Sequence, residues 1–358
     1  MKTKLAFLFF FIFLLPGTSS KVFGQEGHET AETTGHDGSE TEFDASTFIM
    51  EHIADSHDWH LWTLKGADGH EKHIAIPLPV ILYSKENGLD IFMSGKLAHG
   101  QSYKGYKLEE GVVVHENEEN ASSQKTIPLD FSMTKSVVGL LFSCIIGLIL
   151  FLSLSRSYKK TGISHPKGLQ SFLEPIILFV RDDIAIANIG KHKYEKFMPY
   201  LLTVFFFILI NNLMGLIPFP PPFGANVTGN IAVTFVLAFF TFIITQFSGN
   251  KNYWKHIFAT PGVPVWLLPV MVPVELIGII SKPFALMIRL FANITAGHII
   301  VLSLICLIFI FKSVAVAPVS ILFVIFMDCL ELLVAFLQAY VFTLLSALFI
   351  SLAVQEHH

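Results

Sequence analysis

Arg289 stands in a run from Lys282 to His298 that is otherwise apolar enough for lipid. A charged side chain at bilayer depth costs about 2.5–3.5 kcal/mol even on the lenient insertion scale. Something must compensate for it. Because arginine keeps its proton in proteins, Arg289 cannot relay protons and acts only as a fixed positive charge. On a helix each residue advances by about 100°, so Asn293 shares the Arg289 face while His298 points to the opposite side. A second apolar run carries Asp328, Glu331 and Gln338 among Phe, Leu, Val and Ile. Glu331 and Gln338 share a face, with Asp328 beside them. Carboxylates and imidazoles bind and release protons at pKa values that burial and neighbours readily move. The set therefore has the chemistry of a proton path governed by a fixed cation.

Each residue also has a simpler reading. Arg289 would serve as a structural ion pair with Glu331 or Asp328, His298 as a helix-packing histidine, and Asn293 and Gln338 as interhelical hydrogen-bonders. Cys144, Cys306 and Cys329 all lie in apolar runs, without disulfide or zinc spacing, and read as small buried hydrophobes.

The elements that must position these groups are membrane helices. Hydrophobic residues make up 53% of the 358 and charged ones 15%, which excludes a soluble globular class. No basic domain suggests nucleic acid. Lys2 and Lys4 precede an apolar run from Leu5 to Leu15 and then small residues, the layout of a signal peptide over residues 1–24, with cleavage after Ser20 or Gly24. Residues 25–130 read as an exported module, His-rich and polar at first, with disorder expected to about residue 45. From His57 it becomes strand-rich, by the alternation through His73–Tyr83 and Leu89–Met93 around the turn Glu86-Asn87-Gly88.

Residues 131–358 read as an all-α polytopic membrane domain of about five mature spans. The first three are expected near Val137–Leu154, Phe197–Ile217 and Ile231–Phe247. Leu169–Ile189, with Glu174, Pro175, Arg181, Asp182 and Asp183, suits a helix at the cytoplasmic interface. Two longer runs, Val265–Phe311 and Val316–Val354, exceed the roughly 20 residues of one crossing. They predict a long C-terminal helical hairpin, accommodated by tilt, curvature or a break near Ser281-Lys282-Pro283. Arg156, Lys159, Lys160, Lys167, Lys191, Lys193, Lys196, Lys251 and Lys255 mark cytoplasmic loops by the positive-inside rule. The mature N-terminus is then periplasmic and the C-terminus cytoplasmic, in a bacterial inner membrane.

Ile288-Arg289-Leu290-Phe291-Ala292-Asn293-Ile294-Thr295-Ala296-Gly297-His298 resembles the signature of subunit a, the proton-channel stator subunit of F-type ATP synthases. Asn212-Leu213-Met214-Gly215-Leu216-Ile217-Pro218, Ser281-Lys282-Pro283, Leu337-Gln338-Ala339-Tyr340 and Gln355-Glu356-His357 agree in order, so the likeness covers about Lys135 to His358. The resemblance implies that Arg289 is the essential charge facing the c-ring carboxylates. It further implies that Asn212, Asn293, His298, Glu331, Gln338 and the adjoining Asp328 belong to the proton half-channels or the surroundings of the arginine. Many bacterial relatives exchange the residue types at His298 and Glu331, which supports their facing each other across the hairpin. The implied partners are the c-subunit ring, the b-subunit peripheral stalk, the remaining ATP synthase subunits, membrane lipid and protons. No cofactor or metal is implied.

The resembling segment is non-catalytic. Gly95-Lys96 and Gly190-Lys191 lack the other elements of a phosphate-cradling loop, so ATP chemistry falls to other subunits. A secondary transporter for an anionic solute is the alternative reading, but no paired internal repeat supports it. A membrane haem site lacks a second histidine at matching depth. Nine histidines lie between Gln25 and Asp130, including His57, His60, His70 and His73, and read as a solvated polar segment rather than a metal site.

Overall fold

The computed structural model describes residues 44–355, apart from 66–70, 85–87, 98–100, 110, 116–127, 162–167, 218–220, 259–263 and 312. The expected signal peptide, the polar stretch before residue 44, the turn residues Glu86 and Asn87, and Glu356 and His357 lie outside the described residues. The chain divides into two compact units. Over the described residues, one comprises residues 136–297 and 327–355, the other residues 44–135 with 298–326.

The N-terminal module opens with helix α1 (Ala45–Ile53), whose start Asp44 caps by accepting from the Ser46 and Thr47 amides. The sequence reading had placed disorder up to its first residue. Strands β1 (Asp58–Lys65) and β2 (Glu71–Pro77) pair antiparallel, with a bulge between His60 and Trp62. Strand β3 (Pro79–Ser84) is the centre of an antiparallel sheet between β4 (Gly88–Met93) and β7 (Leu129–Asp130), while β5 (Tyr106–Glu109) and β6 (Val112–His115) form a separate hairpin.

Alternation along β3 and β4 sends Val80, Leu82 and Phe92 into a core completed by Leu97, Tyr106 and Val113. The chain just before β1 is stapled to the chain just after β7. Thr134 Oγ1 donates to Asp55 Oδ2 (2.9 Å), the Lys135 amide donates to the Ser56 carbonyl (3.0 Å), and His57 Nε2 donates to Asp130 Oδ2 (2.8 Å).

Among the described residues five helices are long and apolar enough to cross a membrane: α2 (Lys135–Thr161), α4 (Tyr194–Leu216), α5 (Ile231–Ser248), α7 (Leu268–Ile310) and α8 (Ala317–Val354). Between them lie α3 (Leu169–Phe179), continued by a π-helical stretch Val180–Ile186 and a last turn Ala187–Ile189, and the short α6 (Lys251–Phe258). Of tilt, curvature or a break near Ser281-Lys282-Pro283, the break does not occur. Helix α7 runs unbroken through Pro273 and Pro283, so at 1.5 Å per residue it extends for roughly 65 Å.

Helix α3 is also more than a surface helix, since Phe179 packs on Phe336 and Tyr340 of α8. A Cβ on Gly139 of α2 would lie 2.7 Å from the Ala225 Cβ, which shows how closely α2 meets the segment leading into α5.

Polar side chains between helices bond to one another, as groups removed from water must. Tyr200 and Thr241 share a 2.6 Å hydrogen bond, and Thr241 reaches Ser346 at 3.4 Å. The end of α8 is capped from two loops. The Val354 carbonyl accepts from Lys193 Nζ (3.0 Å) and Asn250 Nδ2 (2.8 Å), taking up one of the acceptors a helix end leaves open.

Burial pushes the Asp130 carboxyl upward, but hydrogen bonds from His57 and Ser132 outweigh it and hold the group below the ordinary value of 3.8. A depressed carboxylate contributes stability that is complete above its unfolded pKa and is lost as pH falls through the folded one. Asp130→Asn is expected to destabilise the module by about 1–3 kcal/mol at neutral pH. The difference from wild type should vanish below the folded pKa. Hydrogen exchange of the β3–β7 amides across pH checks this, and an unchanged gap in acid would refute it.

Candidate functional site

Helices α7 and α8 run antiparallel. Lys282 Nζ lies 5.9 Å from the Phe349 ring centre, and Gly297 packs against the Glu331 carboxylate. These two contacts fix the register and set Arg289 level with Tyr340, within about a turn of Gln338. Arg289 is also the midpoint of α7, as far from Leu268 as from Ile310.

Helix α7 has two faces. Ile279, Leu286, Met287, Leu290 and Gly297 are buried at three- and four-residue spacing. Arg289 and Asn293 are exposed together on another face, whose neighbouring positions Ala285, Ala292 and Ala296 are small and exposed. The cation thus stands on a low platform of small side chains.

Arg289 forms no ion pair among the described residues. Glu331 lies eight residues along α7 from it, at the level of Gly297, or about 12 Å away along the axis. Asp328, one turn beyond, is exposed. The simple reading of Arg289 as an internal partner of Glu331 or Asp328 is therefore not realised.

Helix α8 buries a seam of small and polar residues, including Ala335, Gln338, Ala339, Thr343, Ser346 and Ala347. Glu331 is half-buried and continues this seam, as its spacing from Gln338 requires. The opposite side, with Leu332, Leu333, Phe336 and Leu337, stays exposed and apolar.

Asn212 near the end of α4 is 3% exposed and engaged at both ends of its amide. Its Nδ2 donates to the Ala335 carbonyl (3.2 Å), and its Oδ1 accepts from Thr228 Oγ1 (2.7 Å). It thus ties α4 and the segment before α5 to α8, one turn from Glu331. His298 is half-buried on α7, next in sequence to the glycine that receives Glu331.

Sequence reasoning missed Gly297 and Thr228. Glycine inside a helix costs about 1 kcal/mol relative to alanine, so an isolated one in an apolar run signals close approach. A Cβ on Gly297 would collide with the Glu331 carboxylate. The Thr228 hydroxyl carried no comparable signal. The Thr295 hydroxyl is buried without a hydrogen-bond partner in the same helix. Among the described residues no group of three His, Cys, Asp or Glu is placed to hold a metal ion.

Residues 137–351 match the family model described as ATP synthase A chain, and residues 48–131 match a domain of unknown function (DUF8433). ATP synthase subunit a of Chloroherpeton thalassium is 50% identical over 236 residues, covering 64% of this chain and 69% of that one. ATP synthase subunit a 2 of Chlorobaculum tepidum is 53% identical over 231 residues, 63% of this chain but only 64% of the relative. Subunit a of Myxococcus xanthus is 48% identical over 237 residues, 64% of this chain and 76% of its own. The matched span contains α2 through most of α8, with every polar residue placed above, and the chain belongs to the ATP synthase A chain (subunit a) family.

Proposed function

We propose that this chain is the membrane stator of an F-type ATP synthase and offers two proton half-channels to a rotating ring of c subunits. The observation that carries the reading is the exposed Arg289 at the middle of α7, on a face of small side chains and without an ion pair among the described residues. A permanent cation at that depth needs a carboxylate from outside the chain. A carboxylate that travels through lipid must be protonated there, since an isolated charge would be prohibitively costly. Near Arg289 its ionised form is stabilised and its pKa falls. It then releases its proton into one half-channel and takes another from the second before returning to lipid.

Glu331, about 12 Å along the hairpin on the side toward the α7–α8 turn, suits the handling of protons on one access route. His298, Asn293 and Gln338 flank the same hairpin, Asp328 stands one turn beyond Glu331, and Asn212 holds the neighbouring helix in place. Arg289 between the routes repels protons and blocks a direct leak. Each elementary charge moved through 100 mV supplies about 2.3 kcal/mol, so several transfers must be pooled for each ATP, which is the service of a ring.

In this reading residues 1–24 direct export, residues 25–130 are periplasmic and residues 131–358 form the channel. Single crossings by the five long helices bring Arg156, Lys159, Lys191, Lys193, Lys251 and Lys255 to one side, which the positive-inside rule makes cytoplasmic. The C-terminus is then cytoplasmic, and the b-subunit stalk would join the stator there.

Arg289→Ala is expected to lower proton-driven ATP synthesis in membrane vesicles by about two orders of magnitude or more, the equivalent of roughly 3 kcal/mol. Assembly with the c-ring should be unchanged. His298→Ala and Glu331→Ala should slow proton access about tenfold while leaving flow coupled to synthesis. Normal coupling in the assembled Arg289→Ala complex would refute the proposal.

Gly297→Ala should cost a similar tenfold through the collision with Glu331, and Gly297→Ala combined with Glu331→Asp should recover part of the rate. If the single substitution is silent, close seating of Glu331 is not required for access.

A further inference from the structure

The sheet of the N-terminal module has one face in the core and another that is apolar and bare. On β4, Leu89 (61% exposed), Ile91 (61%) and Met93 (45%) point outward, while Asp90 and Phe92 between them point inward. Their cross-strand partners on β3 are Tyr83, Ile81 and Pro79. On the other side of β3, Leu129 pairs with Tyr83. The chain after β7 continues the same ladder, the Phe131 amide donating to the Ile81 carbonyl (2.9 Å) and the Met133 amide to the Pro79 carbonyl (3.0 Å).

Period-two alternation therefore sets Leu129, Phe131 and Met133 on the bare face as a third row. Three strands contribute three residues each, and none of the nine is charged. An antiparallel sheet with one wet face normally shows polar residues there. An uncovered apolar array of this kind marks an interaction surface.

Its position identifies the occupant. The third row ends at Met133, which is two residues, or at most about 7 Å of chain, from Lys135, where the membrane-length helix α2 begins. That short length of chain ties the face closely to the point at which the chain meets lipid. Its one polar atom is the Tyr83 hydroxyl, of the side-chain type favoured at the membrane–water boundary.

We propose that the outward face of the β4–β3–β7 sheet is seated in the phospholipid leaflet on the module's side of the membrane, at the boundary between headgroups and acyl chains. The proposal rests on the reading of α2 as a membrane span. The face carries no basic residue, so its seating depends on hydrocarbon and not on headgroup charge.

The test uses the full chain in the assembled complex, with Cys144→Ser, Cys306→Ser and Cys329→Ser, reconstituted in phosphatidylcholine vesicles with or without brominated acyl chains. An environment-sensitive fluorophore is placed through Ile91→Cys on the face, Ser102→Cys on the exposed loop before β5, or Ile149→Cys on the exposed side of α2. The label at position 91 should be quenched by brominated chains and shielded from aqueous iodide about fivefold relative to the label at 102. Added anionic lipid should change neither result. Iodide access at 91 equal to that at 102 would overturn the proposal by placing the face in water. Shielding without bromine quenching would overturn it in favour of a covering protein. The label at 149 should be quenched by bromine whatever the module does. Loss of that signal would overturn the spanning reading, and this proposal with it.

Discussion

The Arg289 guanidinium cannot be neutralised by giving up a proton, and its helix is built for a medium that tolerates charge poorly. Elsewhere the fold removes the same difficulty internally. Tyr200, Thr241 and Ser346 share their hydrogen bonds, Asn212 is satisfied by Ala335 and Thr228, and the terminal carbonyl of α8 is taken by Lys193 and Asn250. Against that background Arg289, at the middle of α7, is exposed and has no ion pair among the described residues. Its alanine surroundings keep the approach open.

The hairpin separates fixed from variable charge by distance along its axis. Arg289 sits level with Tyr340, and Glu331 sits level with Gly297. Glu331 stands about two turns of helix from Arg289, out of ion-pair reach. The contacts of Gly297 with Glu331 and of Lys282 with Phe349 mark this spacing, while the small-residue seam of α8 meets α4 and α5 through Ala335 and Ser346.

Much of this was legible in the sequence because it depends on local periodicity. The lengths of apolar runs gave the five membrane helices, and alternation gave the strands. Four-residue spacing put Arg289 and Asn293 on one face, as the exposure of both bears out. What escaped depends on register between distant segments. Gly297 meets Glu331, and Asn212 meets Ala335, only once the helices are packed. The pairing of Phe131 and Met133 with β3 is invisible without the sheet. Pro283 misled because a missing helical donor reads as a break, whereas membrane helices tolerate proline when neighbouring groups relieve the gap. Asp44 and the helix it caps lay hidden beside a polar stretch whose composition argued against order.

The Val354 cap has a mechanical consequence. Lys193 lies in the loop before α4 and Asn250 in the one before α6, and Ser351, one turn earlier, donates to the Asn188 carbonyl (2.5 Å) at the end of α3. Three separate segments thus grip the last turn of the helix that backs α7. A sideways load on α7 is passed through α8 into all three, so it meets a braced strut and not a free rod. Holding still under load is as much a property of this chain as conducting protons.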